Sequence, residues 1–288
     1  MLDLFTATWF GIVGACVGSF LNVVAYRMPR RMSVVWKPSH CPQCGHDIRA
    51  RDNLPVLGWM LLGGRCRDCG APISPRYAIV EAVMGGAFFA LAYAELISGG
   101  ANLPLGPLAA PAGAWYTVWN PAWPLLAAFA FHATLLSLLV AAALIALDDE
   151  VAPRRLILFA MVVIGMATVR WRGDPAHSIP AAGGPHAAIE AALGFIAGTF
   201  IALVASQIVP HREIGERERR RRNLTLALGT TGGFLGLGPL ATILAVAGVG
   251  TFAICTARRT PHDFARLLPA SMVPAALLHI AFWKHMPL

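Results

Sequence analysis

Long apolar segments separated by short polar loops limit the folds that this chain can adopt. The segment from Leu4 to Tyr26 and the segment from Leu125 to Leu147 contain no Asp, Glu, Lys or Arg. Each is long enough for a helix to cross a bilayer, where the backbone must satisfy its own hydrogen bonds. Only 13% of the residues are charged, against about 25% in soluble domains. The sequence therefore predicts an all-α polytopic membrane protein.

About eight transmembrane helices are predicted. Six of them cover residues 4–26, 77–97, 125–147, 156–169, 187–209 and 267–283. The uncharged stretch from Asn223 to Cys255 is too long for one ordinary span. It is expected to form two short spans that are broken near residues 236–239, because Gly and Pro interrupt helices.

Basic residues indicate which loops face the cytoplasm. The loop from Arg27 to Arg76 carries nine Lys or Arg residues, and such loops stay inside. The basic run 211–222 is a second cytoplasmic marker, expected to be solvated and to touch lipid phosphates. These loops explain the net charge of +8. No recognised nucleic-acid-binding fold accompanies the charge, so no nucleic acid partner is expected.

The cytoplasmic loop contains two Cys-x-x-Cys pairs, Cys41/Cys44 and Cys66/Cys69. Two such turns can supply four thiolates to one tetrahedral ion, which indicates a zinc-ribbon-like insertion holding structural zinc. The alternatives are two disulfides, which need an oxidising compartment, or four free thiols. His40 and His46 flank the first pair, but four cysteines already fill such a site.

Residues around these pairs resemble a known family. The resemblance is carried by three stretches: Gly18-Ser-Phe-Leu-Asn-Val-Val-Ala-Tyr-Arg27-Met-Pro29, Arg51-Asp52-Asn53-Leu-Pro55-Val-Leu-Gly-Trp59 and Ile73-Ser74-Pro-Arg76-Tyr77-Ala-Ile-Val-Glu81. They are similar to the N-terminal domain of the type IV prepilin peptidases (prepilin leader peptidase/N-methyltransferases) over about residues 11–82. The resemblance implies an N-terminal domain over residues 1–82 and a helical membrane domain over residues 83–288.

The resemblance implies a multi-pass protein of the bacterial inner membrane. Its partners would be the lipid bilayer and the leader peptides of type IV prepilins or pseudopilins. The family are aspartic endopeptidases that also N-methylate their product, with S-adenosylmethionine as the methyl donor. Two aspartates perform the cleavage, one activating water while its protonated neighbour polarises the scissile carbonyl.

The sequence departs from the family at both aspartates. Alignment on Pro153 places Ala146 at the first position, and Asn223 is the closest match to the second, at a Gly-x-Gly-Asp turn opening the sixth span. Asp149 and Glu150 are the candidate substitutes, provided that the third helix continues past Ala146. Two hypotheses follow: an active peptidase with displaced acids, or a catalytically inactive protein that binds prepilins or assists assembly. A transporter is disfavoured because polar residues in the spans are sparse.

Other polar residues match the family motif or lie within spans. Asp52, Arg65, Arg76 and Glu81 are candidates for binding the leader peptide, or for attaching the metal loop to the second helix. Glu81 would need a partner, and Arg76 is the nearest candidate. Two further residues are expected to have no ligand role, His132 as a satisfied interior histidine and Glu190 as a solvated residue near the outer interface.

Overall fold

The computed structural model describes residues 1–36, 38–103, 113–170, 186–208, 215–258 and 263–285. The chain divides into two compact units, Met1–Ala90 and Leu91–Leu288. Throughout the described ranges the regular elements are helices, accompanied by two isolated β-bridges. The all-α class is therefore confirmed.

The first unit is built on two long helices and the loop between them. Helix α1 is Leu2–Arg27, the short helix α2 is Leu57–Leu61, and α3 begins at Arg76 and ends at Leu91. A Cβ added to Gly14 would lie 2.5 Å from the carbonyl oxygen of Met84 in α3. The small-residue face of α1 thus lets the two backbones approach closely, as in many membrane helix pairs.

The second unit contains the remaining helices. In chain order they are α4 (Trp115–Val118), α5 (Trp123–Leu147), α6 (Arg154–Arg170), α7 (His186–Ile208), α8 (Glu216–Leu224), α9 (Thr230–Leu235), α10 (Leu237–Arg258) and α11 (Phe264–Ala281). Two π-helical turns occur between or after these α-helices. One extends α3 over Ala92–Ile97, and the other joins α8 to α9 over Thr225–Gly229.

Helix α5 forms the core of the second unit. In its span, 78% of the residues are buried within the protein, against 22% in the span of α7 and 28% in that of α10. Large side chains such as Leu135, Leu139 and Ile145 are fully buried. A helix that is apolar all round and packed on all sides occupies the centre, whereas α7 and α10 present apolar surface outward, as lipid-facing helices do.

Six helices of the described residues are long and apolar enough to cross a membrane. They are Leu2–Arg27, Arg76–Ile97, Trp123–Leu147, Ala188–Gln207, Leu237–Arg258 and Phe264–Ala281. The other two predicted spans fall on α6, which has 17 residues, and on the segment from α8 to α9. The predicted break near residue 236 is confirmed: Gly236 separates α9 from α10 with a φ of 90°.

The basic run has a different structure from the expected loop. Residues 211–214 lie outside the described part, but from Glu216 onward the run is helix α8. This helix continues through the π-helical turn into α9. Asn223 therefore lies inside a helical segment, and no turn opens the span at this position.

Candidate metal centre and membrane-edge site

The two Cys-x-x-Cys pairs form two turns with the same hydrogen bonds. In the first, the N–H of Gly45 donates to the carbonyl of Cys41 at 2.9 Å; in the second, the N–H of Gly70 donates to that of Cys66 at 2.9 Å. Both glycines have positive φ, 74° and 70°, which glycine adopts at little cost. The repeated Cys-x-x-Cys-Gly pattern was visible in the sequence and strengthens the prediction of a paired metal turn.

The four cysteine sulfurs converge in the first unit. They all lie within 4.8 Å of one another, with 3.8 Å between Cys41 and Cys69 and 4.0 Å between Cys44 and Cys66. Zinc–sulfur bonds of about 2.3 Å in a tetrahedron put sulfur atoms about 3.8 Å apart. The donor set and its spacing therefore fit one metal ion of this kind.

The ionisation of the thiols also favours a bound cation. Backbone hydrogen bonds from Cys44 and Gln43 lower the pKa of Cys41 to about 6. At Cys44 the backbone hydrogen bond from His46 lowers the pKa, but burial and the neighbouring sulfurs outweigh it and raise the pKa to about 12. Thiolates this close repel one another, so the full set of four needs a positive ion between them.

The residues flanking the cysteines hold the loop together. His40 lies 3.3 Å from the carbonyl of Pro38 through Nδ1 and pairs with Asp47 in a short β-bridge. The cluster of metal-ligand atoms found here consists of the four cysteines, without His40 or His46.

Asp52 accepts two hydrogen bonds from Arg67, at 2.7 and 2.5 Å. The Arg67 guanidinium lowers the pKa of Asp52 below its ordinary value. Arg65 is exposed and lies 3.4 Å from the carbonyl of Gly70 in the second cysteine turn. Both contacts join parts of the metal loop.

Glu81 attaches this loop to α3. Its buried carboxylate accepts a hydrogen bond of 2.7 Å from the N–H of Val56. Val56 has a φ of 62° and is the centre of a tight turn in which the N–H of Leu57 bonds the carbonyl of Pro55 at 2.6 Å. Such a turn is strained for a β-branched residue. Arg76, expected as the partner of Glu81, begins α3, where its N–H donates to the hydroxyl of Ser74.

The third span ends before the candidate acids. Helix α5 stops at Leu147, and Asp149 has a φ of 55°. The condition under which Asp149 and Glu150 would share a helix face with Ala146 is therefore not met. The carboxylate of Asp149 is half-exposed and lies 3.1 Å from Arg266 of α11, which also donates to the carbonyl of Leu147. Ala146 itself is buried.

Asn223 holds the loop between α5 and α6. Its side-chain oxygen accepts a 2.8 Å hydrogen bond from the N–H of Ala152, and its side-chain nitrogen donates to the carbonyl of Glu150 at 2.9 Å. The side chain is buried. An amide can make this pair of bonds, whereas an ionised carboxylate cannot, because it has no proton to donate.

His132 was expected to be a satisfied interior histidine, but its pairing with Glu95 was not predicted. His132 lies 2.5 Å from Glu95 through Nδ1, and neither side chain is exposed. Nε2 of His132 makes no hydrogen bond in the described part of the chain, so this histidine is only half satisfied. The sequence signal for this pair was the carboxylate of Glu95, which lies inside the predicted span 77–97. Glu190 is half-buried near the start of α7.

Residues 12–95 of the chain match the model of a known domain family. They form a bacterial peptidase A24 N-terminal domain. Three relatives match over part of their length. A prepilin leader peptidase/N-methyltransferase of Myxococcus xanthus is 50% identical over 84 residues. A type 4 prepilin-like proteins leader peptide-processing enzyme of Escherichia coli is 43% identical over 93 residues. A prepilin leader peptidase/N-methyltransferase of Klebsiella pneumoniae is 44% identical over 86 residues.

The matches to these relatives are partial. They cover 29%, 26% and 28% of this chain and 25%, 35% and 38% of the respective relatives. The chain therefore spans well under half the length of the curated relatives that it matches. No solved structure matches the chain. The peptidase A24 N-terminal domain thus contains the four-cysteine cluster, Asp52, Arg65 and Glu81, but neither Ala146 nor Asn223.

Proposed function

We propose that this chain is a bacterial inner-membrane protein that binds the leader peptides of type IV prepilins or pseudopilins without cleaving them by the aspartic mechanism. The peptidase A24 N-terminal domain and the names of its relatives support the binding role. The observation that carries the loss of cleavage is the double hydrogen bond of Asn223 to the loop between α5 and α6.

The cleavage chemistry requires two carboxyl groups that share one proton. Ala146 has no functional group, and an amide such as Asn223 cannot take a proton from water. In addition, both polar atoms of Asn223 are already used by backbone partners. The two aligned positions therefore supply neither the base nor the acid of such a pair.

The alternative is an active leader peptidase and N-methyltransferase in which Asp149 and Glu150 replace the usual acids. The half-exposed carboxylate of Asp149, at the end of α5, favours this alternative. Its ion pair with Arg266 opposes it, because a nearby positive charge stabilises the ionised form and disfavours a shared proton. S-adenosylmethionine would be the methyl donor in this case.

Purified full-length protein incubated with a prepilin distinguishes the two functions. We expect the precursor to co-purify uncut, with mass spectrometry showing an intact leader. Cleavage abolished by Asp149→Ala or Glu150→Ala, but not by the neighbouring Asp148→Ala, would establish the displaced-acid enzyme. Cleavage that survives Asp149→Ala and Glu150→Ala together would show that other residues act.

We also propose the identity of the metal ion, the membrane topology and the roles of the two domains. The ion in the four-cysteine cluster is proposed to be structural zinc, and its loop to lie in the cytoplasm. Eight spans, with α6 and the α8–α9 segment included, give that topology. Residues 1–82 would be the domain that holds the leader peptide through Asp52, Arg65, Arg76 and Glu81, and residues 83–288 the helical membrane domain.

A further inference from the structure

Four buried side chains meet in the interior of the second unit, near the end of α11. Glu95, in the π-helical turn that extends α3, lies 2.5 Å from Nδ1 of His132 in α5. The ring of Trp283, just after α11, lies against two histidine rings, with centroid distances of 5.7 Å to His132 and 5.6 Å to His279 of α11. None of the four residues is more than 2% exposed. They form one continuous group, the interior polar cluster.

Five polar atoms of the interior polar cluster make no hydrogen bond to any residue that the structure describes. They are Oε2 of Glu95, Nε2 of His132, both ring nitrogens of His279 and Nε1 of Trp283. Buried polar atoms of native proteins are nearly always paired, either with the protein or with bound water. So many unpaired atoms in one place therefore indicate that the cluster binds a ligand.

Asn102 adds another acceptor at the end of α11. Its side-chain nitrogen donates to the carbonyl of Ile280 at 2.8 Å, and its own carbonyl accepts from the N–H of Lys284 at 3.0 Å. These two bonds hold Asn102 beside the residues on both sides of the Trp283 turn. Its Oδ1 is buried and has no partner in the described part of the chain.

The chemistry of the free atoms limits the ligand. With Nδ1 of His132 donating to Glu95, Nε2 of this histidine is an acceptor, as is Oε2 of Glu95. Nε1 of Trp283 can only donate, and a neutral His279 has one donor and one acceptor. An anion would face the carboxylate oxygen, and a metal cation would face the indole N–H. Water both donates and accepts, so it can satisfy every atom of this set.

Charge also favours a neutral ligand. Glu95 and His132 share one proton across their hydrogen bond, which leaves the pair neutral overall. The other ionisable residues of the elements that carry the cluster are Tyr93, Arg266, Lys284 and His285. Three of these are exposed, and Arg266 lies near the opposite end of α11, where it pairs with Asp149. An ion at the cluster would therefore lack a counter-charge.

We propose that the interior polar cluster is a binding site for water inside the membrane-spanning part of the second unit. The water accepts from Nε1 of Trp283 and donates to Nε2 of His132 and to a ring nitrogen of His279. Glu95 positions the His132 ring through Nδ1. Bound water gives the proton of the Glu95–His132 pair a path of exchange to His279, and ionisable residues within membrane spans commonly serve such paths.

Radiolytic footprinting of the full-length protein in nanodiscs tests the proposal, because hydroxyl radicals formed from bound water oxidise the side chains beside it. We expect mass spectrometry to show that His132, His279 and Trp283 are oxidised several-fold faster than Met272. Met272 is the control, since it is fully buried, oxidises readily and lies about 10 Å from His279 along α11. Oxidation of the cluster no faster than that of Met272 would overturn the proposal.

Removing acceptors shows whether the cluster holds the water. We expect oxidation of Trp283 to fall several-fold in the Glu95→Leu plus His132→Leu variant, while Thr251→Val leaves it unchanged. Thr251 is the matched control, a fully buried residue of α10 whose hydroxyl donates to the carbonyl of Ala247 in its own helix. Thermal unfolding checks that each variant is folded, and the result on the parent protein does not depend on them. Unchanged oxidation of Trp283 in the double variant would overturn the site.

Elemental analysis distinguishes water from a metal ion. The four-cysteine cluster accounts for about one ion per chain, so we expect no further ion in the parent protein. A second ion that is lost in the Glu95→Leu plus His132→Leu variant would assign the interior polar cluster to a cation and overturn the proposal.

Discussion

At the scale of single residues, Asn223 depends on having both a donor and an acceptor. An aspartate could still accept from the N–H of Ala152, but its second oxygen would face the carbonyl of Glu150. We predict that Asn223→Asp lowers the free energy of unfolding by about 1–3 kcal/mol, the cost of leaving buried polar groups unpaired. Thermal unfolding in nanodiscs at neutral pH measures this loss.

The pH dependence of the Asn223→Asp variant gives an independent check. Once protonated, the introduced carboxyl group can donate to the carbonyl of Glu150, so folding raises its pKa and the folded state binds more protons. The destabilisation should therefore shrink as the pH falls. Asn120→Asp, at an exposed position, is the control and should change stability little. Equal effects at both positions would contradict the role given to Asn223.

Glu95 and His132 form a buried pair in which each side chain needs the other. We predict that Glu95→Leu alone costs about 3–5 kcal/mol, because it leaves a polar histidine buried without its partner. Glu95→Leu combined with His132→Leu should recover most of this loss. Denaturant unfolding of the two single variants and the double variant measures the coupling. Strictly additive losses would mean that the pair does not act as a unit.

The hydrogen-bond partners of individual side chains were hard to predict, because they come from distant parts of the sequence. The sequence showed that Glu81 needs a partner, but the structure supplies the N–H of Val56, which is 25 residues away. The end of α5 is likewise bound by Arg266, 119 residues further on. Cysteine spacing was more informative, because both ligands of each turn lie within four residues.

At the scale of elements, glycines decide how α7 packs. A Cβ on Gly194 would lie 2.0 Å from the carbonyl oxygen of Gly232 in α9, and one on Gly198 would lie 2.2 Å from that of Leu228. The two helical segments therefore touch backbone to backbone. We predict that Gly194→Ala forces them apart and lowers the melting temperature by several degrees, measured by thermal unfolding in detergent.

Gly248 of α10 provides the matched control, because no heavy atom lies within 4 Å of its added Cβ. Gly248→Ala should be neutral or stabilising by up to about 1 kcal/mol, since alanine favours the helix. A Gly194→Ala protein that melts like the parent would show that α7 and α9 can separate without cost.

Apolar length predicted the positions of the helices well, because a membrane span needs a long uncharged run. It could not predict that the basic run is helical from Glu216 and joins α9 through a π-helical turn. Charge-rich segments carry no apolar periodicity, and α8 is held by tertiary contacts such as those of Asn223. The same limit explains why the turn expected around Asn223 is absent from this described segment.

At the scale of the whole molecule, the two units have separate sources of stability. The first contains the four-cysteine cluster within residues 41–69, whereas the second is built around the buried helix α5. The sequence predicted the metal ligands from local spacing. The contacts that fill the second unit are spread over nearly two hundred residues, so its interior pairs could not be read from any single motif.

Metal removal should therefore affect the units differently. We predict about one zinc per chain by elemental analysis, lost in the Cys44→Ser plus Cys66→Ser variant, because the remaining two thiolates cannot complete a tetrahedral site. Without zinc, the loop of the first unit should become sensitive to protease, while hydrogen exchange in α5 stays slow. Cys16→Ser, in the same unit but outside the cysteine turns, should keep its zinc. Retention of zinc in the double variant would contradict the assigned ligands, and parallel loss of protection in α5 would mean that the metal also stabilises the second unit.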